Sequence, residues 1–146
     1  MTITLGIDTS AFVAVGVAVD GAALARVVVE DTRAHVEALM PAVLEACAAA
    51  GVALRDVDEF VVGMGPGPFT GLRVGIATAW TLAHAAGRTP HGVCSLDVVA
   101  RQWADDGASE EFVVAADARR KELYEALLYA LQNYEDPWNA AVQKPA

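Results

Sequence analysis

The sequence predicts an α/β domain built on a mixed β-sheet, and three observations carry that expectation. The first 31 residues hold three β-branched runs, the apolar spacing changes to a helical period near residue 34, and from residue 58 short apolar strands alternate with helices. The chain has 146 residues, 55% of them hydrophobic, enough for one globular domain or a small two-lobed one with a real core.

The elements follow in order. Residues 3–8 (ITLGID), 12–19 (FVAVGVAV) and 24–31 (LARVVVED) read as strands, and Asp20-Gly21 between the second and third is a strong hairpin signal. The chain therefore opens on an antiparallel meander. From about Ala34 to Ala50, residues Val36, Leu39, Met40, Val43, Leu44, Cys47 and Ala48 recur at helical spacing, and Gly51 supplies the stop. The other face of that helix carries Glu37, Glu45, Ala38, Ala42, Ala46 and Ala49, with Pro41 inside the helix removing one backbone donor. Residues 58–64 (DEFVVGM) read as a buried strand, 70–86 as a second helix, 92–96 (GVCSL) as a strand and 97–105 as a third helix. The order β-β-β-α-β-α-β-α describes three antiparallel strands, two parallel additions and covering helices. We place a first lobe at 1–108. A shorter second lobe begins at 109–146, with strands at EFVVAADA and KELYEALLYA joined across Arg119 and Arg120.

Charge and composition narrow the chemistry. A formal charge of −9 repels phosphates, so direct nucleic-acid binding is not expected, and the run Arg119, Arg120, Lys121 reads as a turn. The opening MTITLGID lacks a signal-peptide pattern and no apolar run approaches the roughly 18 residues of a membrane span, so a cytoplasmic protein is expected. Cys47 and Cys94 share no metal or redox spacing and read as free thiols.

The segment GMGPGPFTGLRVG at 63–75 raises the question of phosphate binding. A P-loop needs a lysine after its glycines, whereas Leu72, Arg73 and Val74 follow Gly71, and Pro66 and Pro68 delete two N–H donors. Gly65, Pro66, Gly67, Pro68 and Thr70 therefore read as a rigid structural loop, with Thr70 as helix N-cap. Behind it, Leu72, Ile76, Ala79, Ala83 and Ala86 form one apolar stripe, and Gly71, Val74, Gly75, Thr78 and Leu82 a second. A helix apolar on two sides is expected to be covered on two sides. The partner surface is thus expected at His35, Ala38, Leu39, Ala42 and Ala46 on the first helix and at Gly71, Val74, Gly75, Thr78 and Leu82 on the second, where small residues let helices approach closely. A leucine at Gly75 should then abolish pairing and leave the fold intact.

Catalytic chemistry is sparse. Asp8, Thr9 and Ser10, at the end of the first strand, could hold a magnesium-bound nucleotide, and equally could satisfy a local turn. His35 lies near Glu37, but Leu39 stands where a metalloprotease helix needs its second histidine; there is no GxSxG elbow, and Ser95 has no base nearby in sequence. No metal and no catalytic residue is assigned.

IDTS at 7–10, RAHVEALMP at 33–41, GMGPGPFTGLRVGIA at 63–77, GVCSLDVVA at 92–100 and AADARRKELYEA at 115–126, in this order and spacing, resemble the TsaB (YeaZ) family. The resemblance covers nearly the whole chain to about residue 130. It implies the actin-like ATPase superfold. It also implies a non-catalytic subunit for synthesis of threonylcarbamoyladenosine beside the anticodon of tRNAs reading codons that begin with A. Such a subunit pairs with TsaD through helices of the first lobe, helps recruit the ATPase TsaE, and forms a homodimer in isolation. Two departures stand out. Pro68 replaces the family's usual serine, and the second lobe is much shorter than the family's. Asp8, Thr9 and Ser10 correspond to the superfold's first phosphate loop without its glycines, so no cofactor is expected. The alternative is a nucleotide-dependent ATPase or phosphotransferase using Asp8 with magnesium and ATP.

Overall fold

The structure, a computed structural model, describes residues 1–31, 35–107, 112–117 and 123–128. Strands β1 (Ile3–Asp8), β2 (Val13–Val19) and β3 (Ala22–Val29) form the meander. Asp20 and Gly21 both take positive φ, 48° and 80°, as the two-residue turn between β2 and β3 requires. Helix α1 (His35–Ala49) and a short 3₁₀ turn (Leu54–Asp56) lead to β4 (Glu59–Gly63). Then come α2 (Phe69–Ala85), β5 (His91–Val93) and α3 (Ser95–Asp105), followed by β6 (Phe112–Asp117) and β7 (Leu123–Leu128).

The main sheet has the order β3-β2-β1-β4-β5; β1 pairs antiparallel with β2 and parallel with β4, and β5 adds parallel to β4. The predicted mixed sheet is thus the observed one. β6 and β7 pair antiparallel in a separate two-stranded sheet. The turn proposed at Arg119 and Arg120 lies outside the described residues.

Period-two alternation decides which sheet face is the core. Ile3, Leu5, Ile7, Val13, Val15, Val17, Phe60 and Val62 are buried on one face, where α1 lies over β2 and β3 and α2 over β1 and β4. Each large side chain buried here contributes about 1.5–3 kcal/mol relative to exposure.

The helices meet this face with Leu39, Val43, Cys47, Ala79 and Ala83 of the expected apolar faces and also with small residues expected outside, which corrects the sequence reading in part. On α1 the buried residues are Leu39, Ala42, Val43, Ala46 and Cys47, whereas Val36, Met40 and Leu44, expected in the core, are exposed. On α2 the buried residues are Gly71, Gly75, Ala79 and Ala83. The physical reason is space: β-branched side chains already fill much of the sheet surface, so Ala42, Ala46, Gly71, Gly75, Ala79 and Ala83 approach it beside Leu39 and Val43, while Val36, Met40 and Leu44 turn outward. The predicted cap also shifts. α2 begins at Phe69 with Pro68 at its N-cap and no side-chain capping bond, so Thr70 sits inside the first turn; the Leu72 N–H bonds the Pro68 carbonyl at 3.0 Å.

Candidate functional site: a closed junction and an open helix face

The turn after β1 is a three-residue junction in which every side chain has a separate task. The Asp8 carboxylate accepts from the Ser10 N–H (2.8 Å) and the Ser10 hydroxyl (2.6 Å) on Oδ1, and from the Ser95 hydroxyl (2.5 Å) on Oδ2. Ser95 opens α3, accepts from the Gly65 N–H at 3.1 Å, and donates its own N–H to the Gly65 carbonyl at 2.7 Å. Asp8 therefore ties the end of β1 to α3 and to the loop after β4. Thr9, only 1% exposed, turns the other way: its hydroxyl donates to the Gly71 carbonyl at 2.8 Å and accepts from the Gly75 N–H at 3.2 Å.

The glycine-rich loop is shaped by this junction. A Cβ on Gly63 would overlap the Asp8 carboxylate, and one on Gly67 would stand 2.5 Å from the Ser10 carbonyl oxygen. One on Gly75 would overlap the Thr9 hydroxyl. Gly65 adopts φ +92° before a cis bond to Pro66. The loop thus lies against the turn at 8–10 and leaves the carboxylate and the threonine hydroxyl engaged with protein groups, where an open phosphate cradle would leave donors free. Among the described residues no group of three or more His, Cys, Asp or Glu could hold a metal ion, and every buried side-chain polar atom has a hydrogen-bond partner.

The outer faces of α1 and α2 are the opposite case. Val36 is 69% exposed, Leu44 55%, Phe69 73% and Trp80 54%, with Met40 exposed between Val36 and Leu44. Val36, Met40 and Leu44 fall at i, i+4, i+8, so they form one line along α1. On α2 the Arg73 guanidinium stands 5.3 Å over the Phe69 ring. The two helices touch one another on the same side of the sheet.

The predicted partner residues distribute differently. Leu39, Ala42, Ala46, Gly71 and Gly75 are buried in this chain's own core. Ala38, Val74, Thr78 and Leu82 are half-buried, and the side chain of His35 lies outside the described residues. The outer faces instead carry Val36, Met40, Leu44, Phe69, Arg73 and Trp80, none of them on the partner surface expected from the sequence. The available signal was a line of large residues running beside a line of small ones on each helix, with the small line taken for the outside. Cys47 is buried and Cys94 half-buried, both free thiols as expected, and burial pushes the Cys47 thiol up from its ordinary value. Among the described residues no helix is long and apolar enough to cross a membrane.

A mixed sheet with two helices on one face and a third leading to a second sheet is an α/β fold of the actin-like type, and comparison with known proteins agrees. A solved Pseudomonas aeruginosa structure, described as an uncharacterized protein with similarity to peptidase YeaZ, superposes with a TM-score of 0.82 at 34% identity, over 90% of this chain and 61% of that one. The model of the family described as "TsaD: tRNA N6-adenosine threonylcarbamoyltransferase" matches residues 24–146. The chain belongs to that family, and it is also homologous to the TsaB/YeaZ proteins. It is 37% identical over 93 residues to the Escherichia coli tRNA threonylcarbamoyladenosine biosynthesis protein TsaB, covering 63% of this chain and 40% of that protein. An uncharacterized Mycobacterium leprae protein is 50% identical over 129 residues, covering 85% of this chain and 34% of its own length. The chain thus spans about a third to two-fifths of the length of these two curated relatives.

Proposed function

We propose that this chain is a non-catalytic partner subunit in tRNA threonylcarbamoyladenosine synthesis. It pairs through α1 and α2 with the transferase subunit TsaD and thereby helps bring the ATPase TsaE to the complex. The observation that carries the pairing is the exposed apolar line Val36, Met40 and Leu44 on α1 with Phe69 and Trp80 on α2. Bulky aromatic residues with an adjacent arginine are the kind of side chain on which interface free energy concentrates. Homology to TsaB supports this pathway, and the net charge of −9 favours a role met through protein contacts over a direct grip on tRNA. In the absence of TsaD the same face would meet a second copy of this chain.

What weighs against a nucleotide-dependent reading is the use already made of Asp8. Three of the roughly four acceptor sites of this carboxylate are taken by serine donors of this chain, so a magnesium ion would compete with bonds that the fold already uses.

The test is a titration of purified TsaD from the same genome with the intact chain and with Trp80→Glu. Trp80 is more than half exposed, so the variant should fold with little loss of stability, and its affinity should fall by tenfold or more. Equal affinities would remove this face from the interface.

A further inference from the structure

The Thr9 hydroxyl makes two bonds whose partners have a special relation. In an α-helix the N–H of residue i bonds the carbonyl of residue i−4. Gly71 and Gly75 are such a pair, and the Thr9 oxygen donates to the carbonyl of one and accepts from the N–H of the other. The side chain thus engages the rung joining the first two turns of α2 from outside the helix. Two further facts make the engagement specific. Thr9 is fully buried, so no water can substitute for it, and Gly75 has no room for even a methyl group in front of it.

We infer that Thr9 is the positioning residue for the partner-facing side of α2: its hydroxyl fixes the azimuth and height of the first two turns, and with them Phe69 and Arg73. This rests on the pairing proposed above, and it assigns Thr9 a task other than contact with a nucleotide. The chain of contact is short. Gly71 and Gly75 fix the buried side of the turns, and Phe69 and Arg73 stand on the exposed side of the same turns, the guanidinium stacked on the ring. Because α2 begins without a side-chain cap, the Thr9 bond is the side-chain anchor that its first turns have from β1. A helix start so held presents its outer residues in one orientation, which reduces the ordering left to be done on association.

The test uses two variants of the intact chain and two readouts. Thr9→Val keeps the volume and removes the hydroxyl, and Thr9→Ser keeps the hydroxyl and removes the methyl group. In the absence of any partner, amide hydrogen exchange over residues 69–76 should quicken at least tenfold in Thr9→Val, stay close to wild type in Thr9→Ser, and remain unchanged over 39–49 in both. With purified TsaD, at a temperature where circular dichroism shows both variants folded, Thr9→Val should bind several-fold more weakly and Thr9→Ser should restore the affinity. A purely structural role would lower the melting temperature and leave the affinity of the folded protein unchanged. Unaltered exchange over 69–76 in Thr9→Val, or wild-type affinity in that variant, overturns the inference. If the wild-type chain itself fails to bind TsaD, the pairing proposal falls. The partner-free exchange then decides the anchoring role of Thr9 by itself, with unaltered exchange again overturning it.

Discussion

The turn at Asp8–Ser10 and the outer faces of α1 and α2 dispose of their chemistry in opposite ways. At the turn, a carboxylate and three hydroxyls, counting Ser95, bond to groups of this same chain, and Thr9 is sealed from solvent. On the helix faces, five large apolar residues remain a third or more exposed. A polar group buried without a partner costs about 1–3 kcal/mol, so the turn had to be closed internally. An exposed apolar side chain carries no comparable penalty alone, and becomes informative when several align. The difference teaches where to look. The polar residues that suggest catalysis hold the fold together, and part of the apolar set that suggests a core, Val36, Met40 and Leu44, lies on the outer surface.

The strongest way to break this comparison is at Gly75. Sequence reasoning put Gly75 on the partner face, where a leucine would disturb pairing alone. In the structure its missing Cβ is the space occupied by the Thr9 hydroxyl, so Gly75→Leu drives a side chain into Thr9, in the turn after β1. Overpacking of this kind costs about 1–3 kcal/mol and sometimes more, and loss of the Thr9 bonds adds to it. We expect a large drop in thermal stability or no folded protein at all, read by calorimetry or urea unfolding. Wild-type stability in Gly75→Leu would show that α2 faces the sheet with another side.

A milder perturbation separates the two uses of Asp8. Asp8→Asn keeps the shape and removes the charge, so one of its two sides must present an N–H₂ to a serine hydroxyl that now needs a different acceptor. The charge-assisted bonds it weakens contribute roughly 1.5–3 kcal/mol each, and we expect urea unfolding to show a loss on that order. Titration with magnesium-ATP should give no heat in the wild type or in the variant. Saturable heat in the wild type that vanishes in Asp8→Asn, with little change in stability, would move Asp8 from the fold to a nucleotide site.

The element order, the sheet and the hairpin were legible in the sequence because each rests on local signals: period-two alternation, Asp20-Gly21, and a helical period closed by Gly51 with φ +70°. The direction of the helix faces was not legible. On α1 the large and small residues give two apolar stripes side by side, and hydrophobicity by itself favours burying Val36, Met40 and Leu44. Close packing chose Ala42 and Ala46 because Val13, Val15 and Val17 beneath them already fill the layer. The junction was half legible. Asp8, Thr9 and Ser10 could be seen as a polar turn, but Ser95 and Gly75 reach it from 87 and 66 residues away along the chain, a proximity that no local pattern encodes. The four glycines of 63–71 pointed to a close approach without saying to what.

The smallest expected effect tests whether surface charge belongs on either side of the comparison. Arg101 Nε stands 2.8 Å from Asp105 Oδ1 one turn along α3, with both side chains more than half exposed. Solvent screens such a pair, and the arginine precedes its acid, the weaker of the two orders along a helix. Arg101→Ala should therefore change unfolding free energy by less than about 0.5 kcal/mol, while the same measurement resolves Asp8→Asn clearly. The two carboxylates make bonds of similar length, 2.8 Å at Asp105 and 2.5–2.8 Å at Asp8. A larger effect at Arg101 than at Asp8 would mean that distance, and not enclosure between β1, α3 and the glycine loop, sets the strength of these contacts.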